Sequence, residues 1–136
     1  MKISTRSRYG LKAIANLALK EKCCSAKVIS KEEHIPFEYL EKIFSKLKKD
    51  GLLEVKRGSA GGYSLTKSPK DISVGEIIQS LGGKFTPVKC IADDSKFKCP
   101  HSSQCLNQRM WKKIQDSFIT TLNSISLSNL IYENEN

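Results

Sequence analysis

Residues 35–65 read Ile35-Pro36-Phe37-Glu38-Tyr39-Leu40-Glu41-Lys42-Ile43-Phe44-Ser45-Lys46-Leu47-Lys48-Lys49-Asp50-Gly51-Leu52-Leu53-Glu54-Val55-Lys56-Arg57-Gly58-Ser59-Ala60-Gly61-Gly62-Tyr63-Ser64-Leu65. Leu40, Ile43, Phe44 and Leu47 recur at i, i+3, i+4 and i+7, the spacing of one apolar helix face. Tyr39, Lys42, Lys46 and Lys49 lie off that stripe, free to meet a phosphate backbone. Asp50-Gly51 is a stop, because glycine tolerates the left-handed conformation of a helix C-terminus. Leu53, Val55 and Arg57 then alternate with polar residues, as do Tyr63 and Leu65, with Gly58-Ser59-Ala60-Gly61-Gly62 between. Two short strands joined by a glycine-rich tip follow. Basic helix, stop, hairpin is the order of parts in a DNA-reading winged helix.

The flanking sequence extends the pattern. Residues 5–21 predict a first helix with Leu11, Ile14 and Ala18 inward beside Ala13 and Leu17. Arg6, Arg8 and Lys12 cluster near its start, where positive charge opposes the helix dipole, so an external anion is a reason for them. Ser25 is an N-cap for a short second helix with Val28 and Ile29 inward. His34-Ile35-Pro36 turns into the third helix, proline being tolerated in a first turn. Beyond the hairpin, Ser73-Val74-Gly75-Glu76 is a capping box, and Val74, Ile77, Ile78 and Leu81 share a face before Gly82-Gly83. The fold class expected is therefore mainly α with a small β-hairpin wing: a winged helix-turn-helix plus a long C-terminal dimerisation helix.

Charge agrees with that division. The chain has 136 residues, 23 Lys+Arg against 14 Asp+Glu and a net charge of +9. Residues 1–70 carry 16 of the basic and 7 of the acidic side chains, and the remainder carries 7 of each, so the whole excess sits in the winged-helix half. A basic half beside a neutral one is the electrostatic footprint of a nucleic-acid binder. No stretch approaches the ~18 apolar residues of a membrane span. The first residues lack the apolar core of a signal peptide, so a cytoplasmic, membrane-free protein is expected. The sequence holds no Ser/His/Asp set, nucleotide loop or paired catalytic carboxylates, which argues against an enzyme.

The division expected is a DNA-binding domain over 1–83, a cysteine-bearing loop over 84–104, a dimerisation helix and final turn over 105–131, and a frayed tail at 132–136. Trp111, Ile114, Phe118, Leu122 and Ile125 repeat at spacings of three and four, a seam suited to a second helix. Cys90, Cys99 and Cys105 have eight and five residues between them, in and just after the loop. Disulfides are rarely structural in the cytoplasm, and three close thiols suggest a metal centre without identifying it. Paired zinc spacing and a C-x-x-C redox pair are absent. Cys23 and Cys24 read as small semi-buried hydrophobes.

Ser7-Arg8-Tyr9-Gly10-Leu11, Tyr39-Leu40-Glu41-Lys42-Ile43-Phe44, Leu47-Lys48-Lys49-Asp50-Gly51-Leu52, Arg57-Gly58-Ser59-Ala60-Gly61-Gly62-Tyr63 and Val74-Gly75-Glu76-Ile77-Ile78 carry a resemblance. With the cysteines at 90, 99 and 105, these motifs resemble the Rrf2 family of bacterial winged helix-turn-helix transcription regulators over residues 1–131. The cysteines are similar to its cluster-binding, IscR/NsrR-like branch. The resemblance implies a homodimer that places its third helices in successive major grooves of a pseudo-palindromic operator, with repression as the outcome. It implies DNA contacts from Glu38, Tyr39, Glu41 and Arg57, beside the phosphate-facing Arg8, Lys42 and Lys46, with Gly61 and Gly62 letting backbone approach phosphate. It also implies an iron–sulfur cluster on Cys90, Cys99 and Cys105, 2Fe–2S ahead of 4Fe–4S, controlling DNA affinity. His101, Asp93, Asp94, Gln108, a partner-subunit residue or solvent would complete its ligands. The gap from Cys90 to Cys99 is long for that branch, and Gln108 stands where a histidine ligand is common. A thiol-redox or zinc-dependent, cluster-free regulator of the same fold is the alternative.

Overall fold

A computed structural model describes residues 3–88, 91 and 105–132. Helix α1 (Thr5–Lys20), α2 (Ala26–Glu33) and α3 (Phe37–Lys49) precede strands β1 (Leu53–Lys56) and β2 (Gly62–Leu65). A 3₁₀ turn (Pro69–Asp71), α4 (Val74–Ser80), α5 (Leu106–Ser124) and α6 (Leu127–Tyr132) complete the described chain. The expected fold class is the one observed: helices, one antiparallel hairpin as the wing, and long C-terminal helical structure.

Local chemistry explains the boundaries. Ser4 and Ser25 cap α1 and α2 through side-chain oxygens that accept from the backbone N–H of Ser7 (3.1 Å) and Val28 (3.3 Å). Each satisfies one of the orphan donors of a helix start. At α4 the capping box is complete: Ser73 Oγ accepts from Glu76 N–H at 3.0 Å, and Glu76 Oε2 accepts from Ser73 N–H at 2.9 Å. That second bond, with Lys67 nearby, holds the Glu76 carboxyl below the usual carboxylate range. Helix α3 stops as its glycine predicts, with Gly51 at φ +84°.

The four apolar residues of α3 lie at the centre of the core, all at most 1% exposed. They share one core with Ala13, Ile14 and Leu17 of α1, Ile29 of α2, Leu53 of β1, Ile77 of α4 and Leu81 just past its end. Gly10 of α1 abuts Leu81, which caps α4: a Cβ there would sit 2.2 Å from a Leu81 methyl. Val28, expected inward with Ile29, is 41% exposed. The apolar stripe of this eight-residue helix is narrow, running through Ala26 and Ile29, and Val28 falls beside it.

The C-terminal part is fastened to the rest by backbone. Val74 N–H donates to the Ile125 carbonyl and Leu127 N–H to the Ile72 carbonyl, both at 2.8 Å. These bonds pair Ser73 with Ser126 in an isolated antiparallel bridge. Leu127 is fully buried, yet none of the 19 residues of α5 is. Leu106 is 90% exposed, Met110 46% and Phe118 42%. No described helix is long and apolar enough to cross a membrane.

Candidate nucleic-acid interface

One face of α3 is occupied by the core, which decides what the other face can do. Glu38, Glu41, Lys42, Lys46, Lys48 and Lys49 are all exposed on it. Three lysines in the last turn suit the negative end of the helix dipole and leave a basic surface. Tyr39 is half-buried, its ring edge-on to Tyr9 at 5.7 Å and 89°. That contact sets the start of α1, with Arg8 exposed on it, beside the start of α3. Arg8, Glu38, Glu41, Lys42 and Lys46 are thus solvent-facing, whereas Tyr39 divides its surface between the core and water.

The wing is registered Leu53 to Leu65, Glu54 to Ser64, Val55 to Tyr63 and Lys56 to Gly62. Arg57 follows β1 directly and is exposed at the tip, which Gly61 N–H closes by donating to the Gly58 carbonyl at 3.0 Å. A side chain at Gly61 would run into the Lys56 carbonyl at 2.1 Å. Gly62, at φ +151°, passes so close to the α1–α2 connection that a Cβ would lie 2.4 Å from the Cys24 carbonyl. Both glycines therefore have a steric role within the wing itself.

Gly62 makes room for a tether that the sequence does not announce. Cys24 N–H donates to the Tyr63 carbonyl at 3.0 Å, and Tyr63 N–H donates to the Cys24 carbonyl at 2.8 Å. Phe44 reinforces it, with its ring 4.9 Å from that of Tyr63. Helix α3, the wing and the α1–α2 connection are held as one unit. Cys24 is buried, and Cys23 beside it is half-buried.

The C-terminal end of α3 carries a second contact that spacing alone could not show. Ser80, the last residue of α4, donates its hydroxyl to Asp50 Oδ2 at 2.6 Å. Lys46 Nζ lies 3.2 Å from the same carboxylate. The hydroxyl first, and then the lysine, hold the Asp50 carboxyl below its usual range.

The expected metal centre is corrected here. Among the described residues, no group of three or more His, Cys, Asp or Glu side chains is placed to hold a metal ion. Cys105 is described: it stands at the N-cap position of α5, half-buried, with a free thiol and no side-chain capping bond. Cys90, Cys99, Asp93, Asp94 and His101 lie outside the described residues. Gln108, in the first turn of α5, is half-buried. Spacing along the chain brings thiols near one another in sequence, but ligation requires convergence in space. The described residues provide none, so the cluster-controlled reading and its 2Fe–2S cofactor give way to the cluster-free one.

The family model for Rrf2, described as an iron-dependent transcriptional regulator, matches residues 3–133. The HTH-type transcriptional regulator IscR of Escherichia coli is 31% identical over 137 aligned positions, spanning 99% of this chain and 83% of that protein. CymR, the global cysteine regulator of B. subtilis, is similar in structure with a TM-score of 0.80 at 33% identity, covering 99% of each chain. The oxidized form of Staphylococcus aureus CymR matches with a TM-score of 0.75 at 31% identity, covering 97% of each. Relatives thus fall on both the IscR-like and the CymR-like side.

Proposed function

Because the chain belongs to the Rrf2 family of transcriptional regulators, we propose that it is a cluster-free, DNA-binding transcription regulator that acts as a homodimer and responds through its thiols. The observation that carries the DNA-binding reading is the two-sided character of α3. Four core residues fix one face, and the opposite face presents Lys42, Lys46 and Lys49 to solvent. With α3 in a major groove, Lys42 and Lys46 neutralise phosphates, Glu38, Tyr39 and Glu41 face base edges, and Arg57 at the wing tip reaches an adjacent groove. Arg8 meets phosphate from α1, and Gly61 and Gly62 keep the wing backbone slim enough to approach it. The exposed apolar face of α5 supports the homodimer, whose two recognition helices would read a pseudo-palindromic operator. By this division residues 1–83 bind DNA and 105–131 join the protomers.

Affinity for DNA separates phosphate contacts from base contacts. On a duplex selected from a random-sequence pool, Lys42→Ala and Lys46→Ala should each weaken binding to all sequences. Each should also flatten the dependence of log K on log salt by about one unit. Arg57→Ala should instead cost affinity at the selected site more than at unrelated duplexes. An unaltered salt slope in both lysine variants would mean that this face does not touch DNA.

The thiol reading has support in position. Cys23 is half-buried next to Cys24, whose backbone holds the wing, and Cys105 is half-buried at the start of α5. Peroxide oxidises a thiolate to a sulfenic acid with loss of hydroxide, and a second thiol can then displace water to form a disulfide. At Cys23 the added oxygen would press on the connection that anchors β2. Treatment with hydrogen peroxide is expected to lower operator affinity at least about tenfold, or ~1.4 kcal/mol, with recovery in dithiothreitol. Cys23→Ser and Cys105→Ser, tested singly and together, identify the responsive thiol. Unchanged affinity in native protein after complete oxidation, verified by mass spectrometry, would remove the thiol switch. The relative solved in an oxidized form lends the reading support by analogy.

A further inference from the structure

Lys42, Lys46 and Asp50 stand at i, i+4 and i+8, a single line along α3. A carboxylate therefore continues the very row of cations assigned to phosphate. Asp50 is also at the helix C-terminus, where the dipole already disfavours negative charge. On a DNA-facing line such a group opposes binding unless something turns it aside. The structure contains that device. Ser80, only 8% exposed on the neighbouring α4, donates its hydroxyl to Asp50 Oδ2 at 2.6 Å. Lys46 Nζ is 3.2 Å from the same oxygen and 3.3 Å from Oδ1. Ser80 is thus the group that directs the carboxylate toward the protein, and Asp50 in turn steadies Lys46.

We infer that Ser80 is a positioning residue for DNA binding, which keeps the Asp50 carboxylate turned off the phosphate-facing line of α3. This role rests on α3 docking on DNA as proposed above. Without the Ser80 hydroxyl the carboxylate can swing toward phosphate, where like charges repel. That effect needs the negative charge of Asp50, which a buried hydroxyl serving only packing would not need.

A double-mutant cycle with Asp50→Asn separates these cases. Asparagine keeps a carbonyl oxygen that can accept from Ser80 but carries no charge. Binding of a fluorescent duplex is measured for native protein, Ser80→Ala, Asp50→Asn and the double variant, at several salt concentrations. Thermal melts of each show that all four are folded. Ser80→Ala is expected to weaken binding by about three- to eightfold at low salt, the size of one unit charge at roughly 7 Å in a watery interface. The loss should fade as salt rises and the Debye length shortens. Asp50→Asn should bind no more weakly than native, and Ser80→Ala should then add nothing in the Asp50→Asn background. An equal loss in both backgrounds, a loss insensitive to salt, or no loss at all would overturn the positioning role while leaving DNA binding intact. Native protein that binds no duplex at low salt would overturn the DNA-binding reading, and this role with it.

Discussion

Ile114→Glu is expected to convert the protein to a monomer and lower operator affinity by about a hundredfold or more, equivalent to ~2.7 kcal/mol. Leu106, Met110, Ile114 and Phe118 recur every four residues along α5, and no residue of the helix is fully buried by its own chain. An apolar stripe of that length on a 19-residue helix calls for a second surface. In a two-fold dimer the substitution is made twice, placing two carboxylates in one apolar seam. Each loses hydration without gaining a partner, a cost of several kcal/mol per ion. A monomer also loses the gain of docking two linked recognition helices at once. Sedimentation velocity measures the first effect and duplex binding the second. Binding to an isolated half-site should be preserved, because α3 and the wing are untouched. A variant that stays dimeric at micromolar concentration would put the interface elsewhere.

The second large effect is on stability. Phe44→Ala should cost about 3–5 kcal/mol, the range for emptying a buried aromatic site. That is a large share of the ~5–15 kcal/mol that holds a typical domain together. Phe44 is fully buried, and its ring packs on Tyr63, so the cavity opens where recognition helix and wing meet. The midpoint of urea unfolding should fall sharply, and the folded fraction should bind its operator less well because β2 loses its support. A cost under about 1.5 kcal/mol, the scale of a tolerated volume-conserving change, would mean that the wing is not part of the central core.

Much of this architecture was legible from local pattern. The α3 stripe, the stop at Gly51, the capping box at Ser73 and the hairpin each rest on residues within a few positions of one another, where helix and turn chemistry acts. Of the seam read from Trp111, Ile114, Phe118, Leu122 and Ile125, only Phe118 is exposed and the others are half-buried, while the exposed stripe runs on through Met110 and Leu106. What escaped was long-range. Cys24 meets Tyr63, Asp50 meets Ser80 and Ser73 meets Ser126 across loops, and no periodicity records which distant backbone will pass by. Gly62 carried a trace of the first contact, but a glycine near a wing tip has several uses, and the one found is clearance for the Cys24 backbone. Val28 failed because a two-turn helix leaves its inward direction poorly defined by sequence. The three cysteines failed in another way: their spacing invited a metal, and convergence among described residues did not follow. Of the candidate interface, the cationic row was readable, while the serine that orients its carboxylate neighbour was not.

The bridge between Ser73 and Ser126 also bears on how such a chain can change over generations. Two backbone bonds fasten the end of α5 to the residues just before α4, so the intervening chain leaves and returns at one fixed point. The entropy of closing such a circuit grows only with the logarithm of its length. Lengthening the circuit between Val74 and Ile125 by a few residues therefore adds only tenths of a kcal/mol to its closure entropy. A change of length within that circuit leaves the junction between α4 and α5 where the bridge sets it.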